Sequence, residues 1–354
     1  MSRVEKVVAQ LEERELDALL VTGLVNVRWL CGFTGSNAAA VVGRDGLLRF
    51  LTDFRYLSQS AEEVPAEWER EIGTDLLELA MQRLPVGRLG FDDAQVSVKT
   101  HARLKDILPG EVELAEAGGL IERLRMIKDA GELEKIRNAA QLADRALTEV
   151  LERGLVGRTE REVAIDLVFT MMKLGAERAS FEPIVAAGPH GALPHADPRD
   201  VAIPADTFVV IDWGAEVDGY ASDCTRTFST GQVDPRDREV YDTVLRAQLA
   251  ALEAVRPGPI GREVDAVARE IIDAAGHAEH FGHGLGHAVG IEVHEEPRLS
   301  KQGTTPLEAG MVLTVEPGIY VPGAVGVRIE DLVAVTEDGC EILNGLPKDL
   351  QTVN

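Results

Sequence analysis

The chain has 354 residues, 45% of them hydrophobic and 27% charged, with 60 acidic against 36 basic side chains and a formal net charge of −24. That length exceeds one core and suits two domains, and the acidic balance repels phosphate backbones, which argues against nucleic acid and anionic membrane as partners. Three cysteines without a CxxC pair argue for a reducing compartment and against a disulfide framework.

The N-terminus, MSRVEKVVAQLEERELDALL, is charged throughout and reads as an amphipathic helix without an apolar signal core. No run approaches the ~18 apolar residues of a membrane span. The expected location is the cytoplasm.

Residues 1–122 read as an α/β unit. An apolar strand, Ala18 to Val21, follows the first helix, and Asn37 onward and Leu47 onward form two strands joined by the turn Gly43-Arg-Asp-Gly46. Helical stretches follow near Tyr56–Glu63, Leu76–Leu84 and Val96–Leu108. Asp53, Arg55 and Tyr56 could be functional, but a solvated strand end accounts for them.

A linker through Ala117-Gly-Gly opens the second unit, 123–354. Leu133, Ile136, Ala140, Ala143, Leu147 and Val150 recur at intervals of three and four, the mark of a long amphipathic helix. Thr159 with Glu162 makes a capping box for a second helix, closed by Gly175. Strands are expected at Thr207–Trp213 and Tyr220–Phe228. The order then repeats. Val240, Val244, Ala247 and Ala251 mark a third helix, and Val264, Val267 and Ile271 a fourth. Strands follow at Met311–Val315 and Val325–Val335. The expectation is a pseudo-twofold α+β domain with a site between its halves.

Each half carries two carboxylates on or beside its expected strands: Asp212 and Asp223, then Glu316 and Glu330. Singly, Asp212, Asp223 and Glu316 read as turn or surface groups. Arg328 shares a strand face with Glu330, either as an ion pair or as a group orienting that carboxylate. Seven of eight histidines lie between His190 and His294. The stretch Gly282-His-Gly-Leu-Gly-His-Ala-Val-Gly290 has four glycines in nine residues, too many for a helical i,i+4 histidine pair. Four carboxylates and His287 make an oxygen-rich set suited to hard or borderline divalent metals. Their formal charge of −4 balances two such ions, the stoichiometry of a two-metal hydrolase.

The motif order D-W-G, S-D-x-T-R-T-F, G-H-G-x-G-H, H-E-E-P, E-P-G and R-I-E-D resembles the pita-bread metallopeptidases: methionine aminopeptidase, aminopeptidase P and prolidase. The first unit, with Gly32-Phe-Thr-Gly-Ser-Asn37, resembles the creatinase-like domain of the Xaa-Pro peptidases, expected to close the substrate end or support oligomerisation. The resemblance implies a pita-bread catalytic domain and two divalent ions, manganese first, with cobalt or zinc as alternatives. Asp212, Asp223, His287, Glu316 and Glu330 would be the metal ligands. Glu316 would act as general base and acid, His294 would stabilise the oxyanion, and His195 and His283 would contact substrate around the proline. Tyr320 and Arg328 match supporting, substrate-side positions. Partners would be proline-containing peptides and a second copy in a homodimer.

The compact second unit, without a long insertion, favours aminopeptidase P, which releases the first residue of a longer peptide. The alternative is a prolidase restricted to dipeptides, for which Arg298 could supply the cation that demands a free carboxylate. A non-catalytic pita-bread binding protein is a further alternative.

Overall fold

The computed structural model describes residues 1–354, which divide into two compact units, Met1–Arg125 and Met126–Asn354. The break falls just past the expected 122, because the short helix Leu120–Arg125 packs with the first unit.

The first unit is a six-stranded mixed sheet. Its strands are β1 (Ala18–Val21), β2 (Ala38–Gly43), β3 (Leu48–Thr52), β4 (Glu69–Ile72), β5 (Gly87–Phe91) and β6 (Val112–Glu116), in the order β4-β3-β2-β1-β5-β6. All four residues of β1 are buried, as a central strand covered on both faces requires. The sequence reading missed β4, β5 and β6, whose short runs mix charged and apolar residues. Asp53 caps the short turn Phe54–Tyr56 and accepts hydrogen bonds from Arg55 and Asn37.

In the second unit, Asp129 and Glu132 form a reciprocal capping box at the start of the helix Ala130–Leu151, and Thr159 with Glu162 does the same for Glu160–Lys173. Caps contribute about 1 kcal/mol each, less than one buried leucine at roughly 1.5–3 kcal/mol, so the buried stripe of Ile136, Ala140, Ala143, Leu147 and Val150 dominates. These two helices cover β8 (Ile184–Ala187), β9 (Phe208–Trp213) and β12 (Cys224–Ser229), which form a sheet in the order β12-β9-β8. A smaller sheet holds β7 (Arg178–Ala179), β10 (Ala215–Val217) and β11 (Tyr220–Ala221).

The second helix pair, Pro235–Ala254 and Gly261–Ala274, covers the other half of the unit. There β13 (Gly286–Ala288), β14 (Glu295–Leu299), β15 (Val312–Val315), β18 (Asp331–Val335) and β19 (Cys340–Ile342) form the sheet β14-β13-β15-β18-β19. A hairpin of β16 (Gly318–Val321) and β17 (Val325–Arg328) accompanies it.

Two expected long strands are broken. Tyr220–Phe228 divides into β11 and β12 around Asp223, and Val325–Val335 divides into β17 and β18 around Glu330. Each interruption occurs where a chain leaves one sheet for another, and each places a carboxylate at the change of direction. The last helix buries Val264, Ala268 and Ile272, whereas Val267 and Ile271 are only half-buried.

Candidate metal centre

Strands β9 and β12 pair antiparallel with Asp212 opposite Thr225 and Trp213 opposite Cys224, so Asp212 and Asp223 meet at one end of the sheet. Glu330 reaches the same point from the break between β17 and β18. Ligand oxygens of Asp212, Asp223 and Glu330 all lie within 4.8 Å of one another. From the other half, His287 Nε2 lies 3.6 Å from Asp223 Oδ2 and 3.4 Å from Glu316 Oε1. The five residues singled out in the sequence therefore converge.

His287 sits in β13 because its neighbour has no side chain: a Cβ on Gly286 would stand 2.0 Å from the carbonyl oxygen of Thr314. Its Nδ1 donates to the Ala288 carbonyl oxygen at 3.1 Å, which leaves Nε2 as a lone pair aimed at the carboxylates. Burial holds this imidazole neutral, its pKa pushed down to about 3. Burial also pushes Glu316 up to about 7, and raises Asp223 and Glu330 with help from neighbouring carboxylates. The Oδ1 of Asp212 is buried without a hydrogen-bond partner. An orphaned acceptor, a lone pair between carboxylates, and four carboxylates beside the single buried guanidinium of Arg328 form a set that fits divalent cations.

Arg328 organises the rest. Its guanidinium donates to Asp212 Oδ2 at 2.6 Å, Thr225 Oγ1 at 2.9 Å, Tyr320 Oη at 2.8 Å and the Pro194 carbonyl oxygen at 3.1 Å. Thr225 passes the orientation on, donating to Glu330 Oε2 at 2.7 Å. Tyr320 stands 3.0 Å from His283 Nε2, while His283 Nδ1 lies 2.8 Å from the Gly284 carbonyl oxygen. A carbonyl only accepts, so His283 carries its proton on Nδ1 and accepts a hydrogen bond from the Tyr320 hydroxyl at Nε2. His287 and His294 meet edge to face with ring centroids 4.4 Å apart. Thr225 entered the sequence reading only inside the S-D-x-T-R-T-F motif, and Thr314, whose Oγ1 accepts from the His287 amide at 3.0 Å and donates to Glu316 Oε1 at 3.2 Å, did not enter it. The alternation of Thr225 and Thr227 along β12 also marks the former, and nothing local marks the latter.

The carboxylates open into a cavity of about 450 Å³ whose lining includes the polar side chains of His195, His283, His294 and Arg298 and the apolar ones of Phe181, Pro183, Ile184 and Val293. His195 is exposed on this wall. No helix is long and apolar enough to cross a membrane.

Residues 134–337 match the model of metallopeptidase family M24, and residues 3–127 match that of the creatinase/prolidase N-terminal domain. A Xaa-Pro dipeptidase of Pyrococcus furiosus is 36% identical, covering 98% of this chain and 99% of the relative. The solved structure of a Xaa-Pro dipeptidase from Bacillus anthracis superimposes with a TM-score of 0.93 at 36% identity, covering 99% of each chain. That of an X-Pro aminopeptidase from Thermotoga maritima does so at 0.92 and 35%, covering 100% of each.

Proposed function

This chain belongs to metallopeptidase family M24, and from that premise we propose that it hydrolyses Xaa-Pro dipeptides. The family implies divalent metal ions and the pita-bread fold, preceded here by a creatinase-type domain. The preference for aminopeptidase P drawn from the chain's compactness gains no support: two of the three relatives named above are Xaa-Pro dipeptidases.

Arg298 carries the dipeptide reading. It lies on β14, four positions beyond His294, and lines the same cavity as the carboxylates. Its Nε is 3.7 Å from Glu296, a loose pairing that leaves the fork of the guanidinium for a ligand. A planar fork on the cavity wall suits a carboxylate. In an Xaa-Pro dipeptide the proline carboxylate is free and close to the scissile bond, whereas a longer peptide has a neutral amide there.

Asp212, Asp223, His287, Glu316 and Glu330 would hold two divalent ions, manganese first, which supply a readily ionised water and polarise the scissile carbonyl. Glu316 takes the proton of the attacking water and delivers it to the departing proline nitrogen. His294 faces the cavity and donates to the oxygen that becomes negative in the tetrahedral intermediate. Both ring nitrogens of His283 are engaged, so it meets the proline ring through its carbon edge, while exposed His195 lines the same cavity. Tyr320 and Arg328 spend their polar atoms within the protein and act by holding His283 and the carboxylates. The apolar wall suits a residue with no amide N–H and a fixed ring.

The test compares kcat/KM for Ala-Pro and Ala-Pro-Ala with manganese present. Cleavage restricted to Ala-Pro is expected. Equal or faster cleavage of the tripeptide overturns the dipeptide reading in favour of aminopeptidase P. Manganese bound with neither substrate cleaved overturns the peptidase reading.

A further inference from the structure

Glu160 stands apart from the metal ligands, is fully buried, and has no part in the chemistry above. It opens the helix Glu160–Lys173, where a negative charge is favoured by the helix dipole. Its carboxylate gathers five donors. Oε1 accepts from the Ala187 amide at 2.9 Å and from Arg199 Nη2 at 3.0 Å. Oε2 accepts from the Arg199 amide and from Arg199 Nε, both at 3.0 Å. His190 Nδ1 bridges the two oxygens at 3.1 and 3.0 Å.

These donors belong to the two ends of one segment. Ala187 and His190 begin it and Arg199 ends it. Between them Pro194, His195, Ala196, Asp197 and Pro198 form a wall of the cavity. The backbone repeats the pattern: the amides of Glu160 and Arg161, unpaired within the first helical turn, donate to the carbonyl oxygens of Val201 and Arg199 at 3.2 and 3.1 Å. Midway, the Pro194 carbonyl oxygen accepts from Arg328 at 3.1 Å. The segment is thus pinned at both ends by one carboxylate and in the middle by the arginine that orients Asp212.

We propose that Glu160 is a positioning residue that clamps the His195 segment over the cavity and thereby sets substrate affinity. Its target is the wall that meets substrate, not the carboxylates. Removing the carboxylate leaves buried donors unsatisfied at both ends of the segment, and a shift of the wall by a fraction of an ångström is felt in binding. A glutamine of the same shape fails in part, because its amide nitrogen faces groups that themselves donate. Arg199 is half-exposed, so its replacement perturbs the clamp without opening the core.

The kinetic arm of the test rests on the Xaa-Pro peptidase reading; the exchange arm does not. Glu160→Gln, Arg199→Ala and Arg199→Lys are compared with wild type, all loaded with manganese. Expected for the first two are a KM for Ala-Pro raised about tenfold with kcat within about twofold, and unchanged manganese affinity by calorimetry. Faster amide exchange across residues 190–198 accompanies them, and Arg199→Lys recovers part of the KM. Wild-type KM and exchange alongside a lowered melting temperature would make Glu160 a stabilising residue only and overturn the proposal. Should wild type cleave no Xaa-Pro substrate, the peptidase reading fails while exchange still decides: unchanged rates in Glu160→Gln overturn the clamp.

Discussion

The guanidinium of Arg328 donates to Oδ2 of Asp212 at 2.6 Å, while Oδ1 of the same carboxylate is buried and accepts nothing. One oxygen is fixed by the protein and the other is left for a cation. Arg328→Ala is therefore expected to weaken manganese binding by about 10–100-fold, as loss of an orienting partner does, measured by calorimetry. Arg328→Lys should not restore it, because one ammonium cannot reach Asp212, Thr225, Tyr320 and Pro194 together. Wild-type affinity in either variant would contradict the division of labour within this carboxylate.

Glu316→Ala should lower kcat on Ala-Pro by at least about 10²-fold, the contribution expected of a proton-transfer group. Metal content, measured in the same sample, separates loss of the proton carrier from loss of an ion. Turnover near wild type with metal retained refutes the role.

Arg298→Ala tests the carboxylate contact. A charged hydrogen-bond pair is worth about 1.5–3 kcal/mol, so kcat/KM on Ala-Pro should fall roughly 10–100-fold. Ala-Pro-Ala, which offers no carboxylate at that position, should be handled as wild type handles it. An equal drop on both substrates would remove Arg298 from specificity.

Gly326→Ala probes the packing beneath the His195 segment. A Cβ there would stand 1.7 Å from the carbonyl oxygen of Gly191, backbone against backbone, with no flexible atom to yield. Overpacking of this kind costs about 1–3 kcal/mol, a fall in Tm of about 2–10 °C for a unit of this size. Calorimetric scanning that shows no fall would mean the strand Val325–Arg328 and the turn Gly188–Ala192 separate freely.

Metal removal should couple stability to pH. Burial, ahead of its charged neighbours, raises the folded-state pKa of Glu316 to about 7 from 4.5, and Asp223 and Glu330 shift the same way. An acid whose pKa is higher in the folded state holds its proton longer there. Its contribution to stability is complete below pH 4.5 and lost as pH rises through 7. Bound cations replace those protons. The rise in Tm produced by manganese is thus expected to be small near the acid end of this window and larger above it, a difference in which other titrating groups cancel. A metal-induced rise that shrinks with pH would contradict the assignment.

Much of this was legible in the sequence because it is local. Helix stripes such as Ile136 to Val150 and the box Thr159–Glu162 are written in spacings of three and four, whereas the box Asp129–Glu132 emerged only with the structure. Asp212 and Glu316 announced themselves at strand ends. Strand continuity was not legible: Asp223 and Glu330 interrupt runs that alternate well enough to read as single strands, and only pairing to different sheets ends them.

The sequence by itself determined which residue types are available for the site and in which order they occur, and so the family and the metal-ligating chemistry. Tertiary structure alone decided how they are held. Arg328 and Asp212 are 116 positions apart, Thr225 and Glu330 105, and Glu160 and Arg199 39. Such contacts follow no local period, since they form only when separate sheets and helices bury their apolar faces together. The core places the backbone, and the backbone then delivers polar groups that no neighbour in the chain could have foretold.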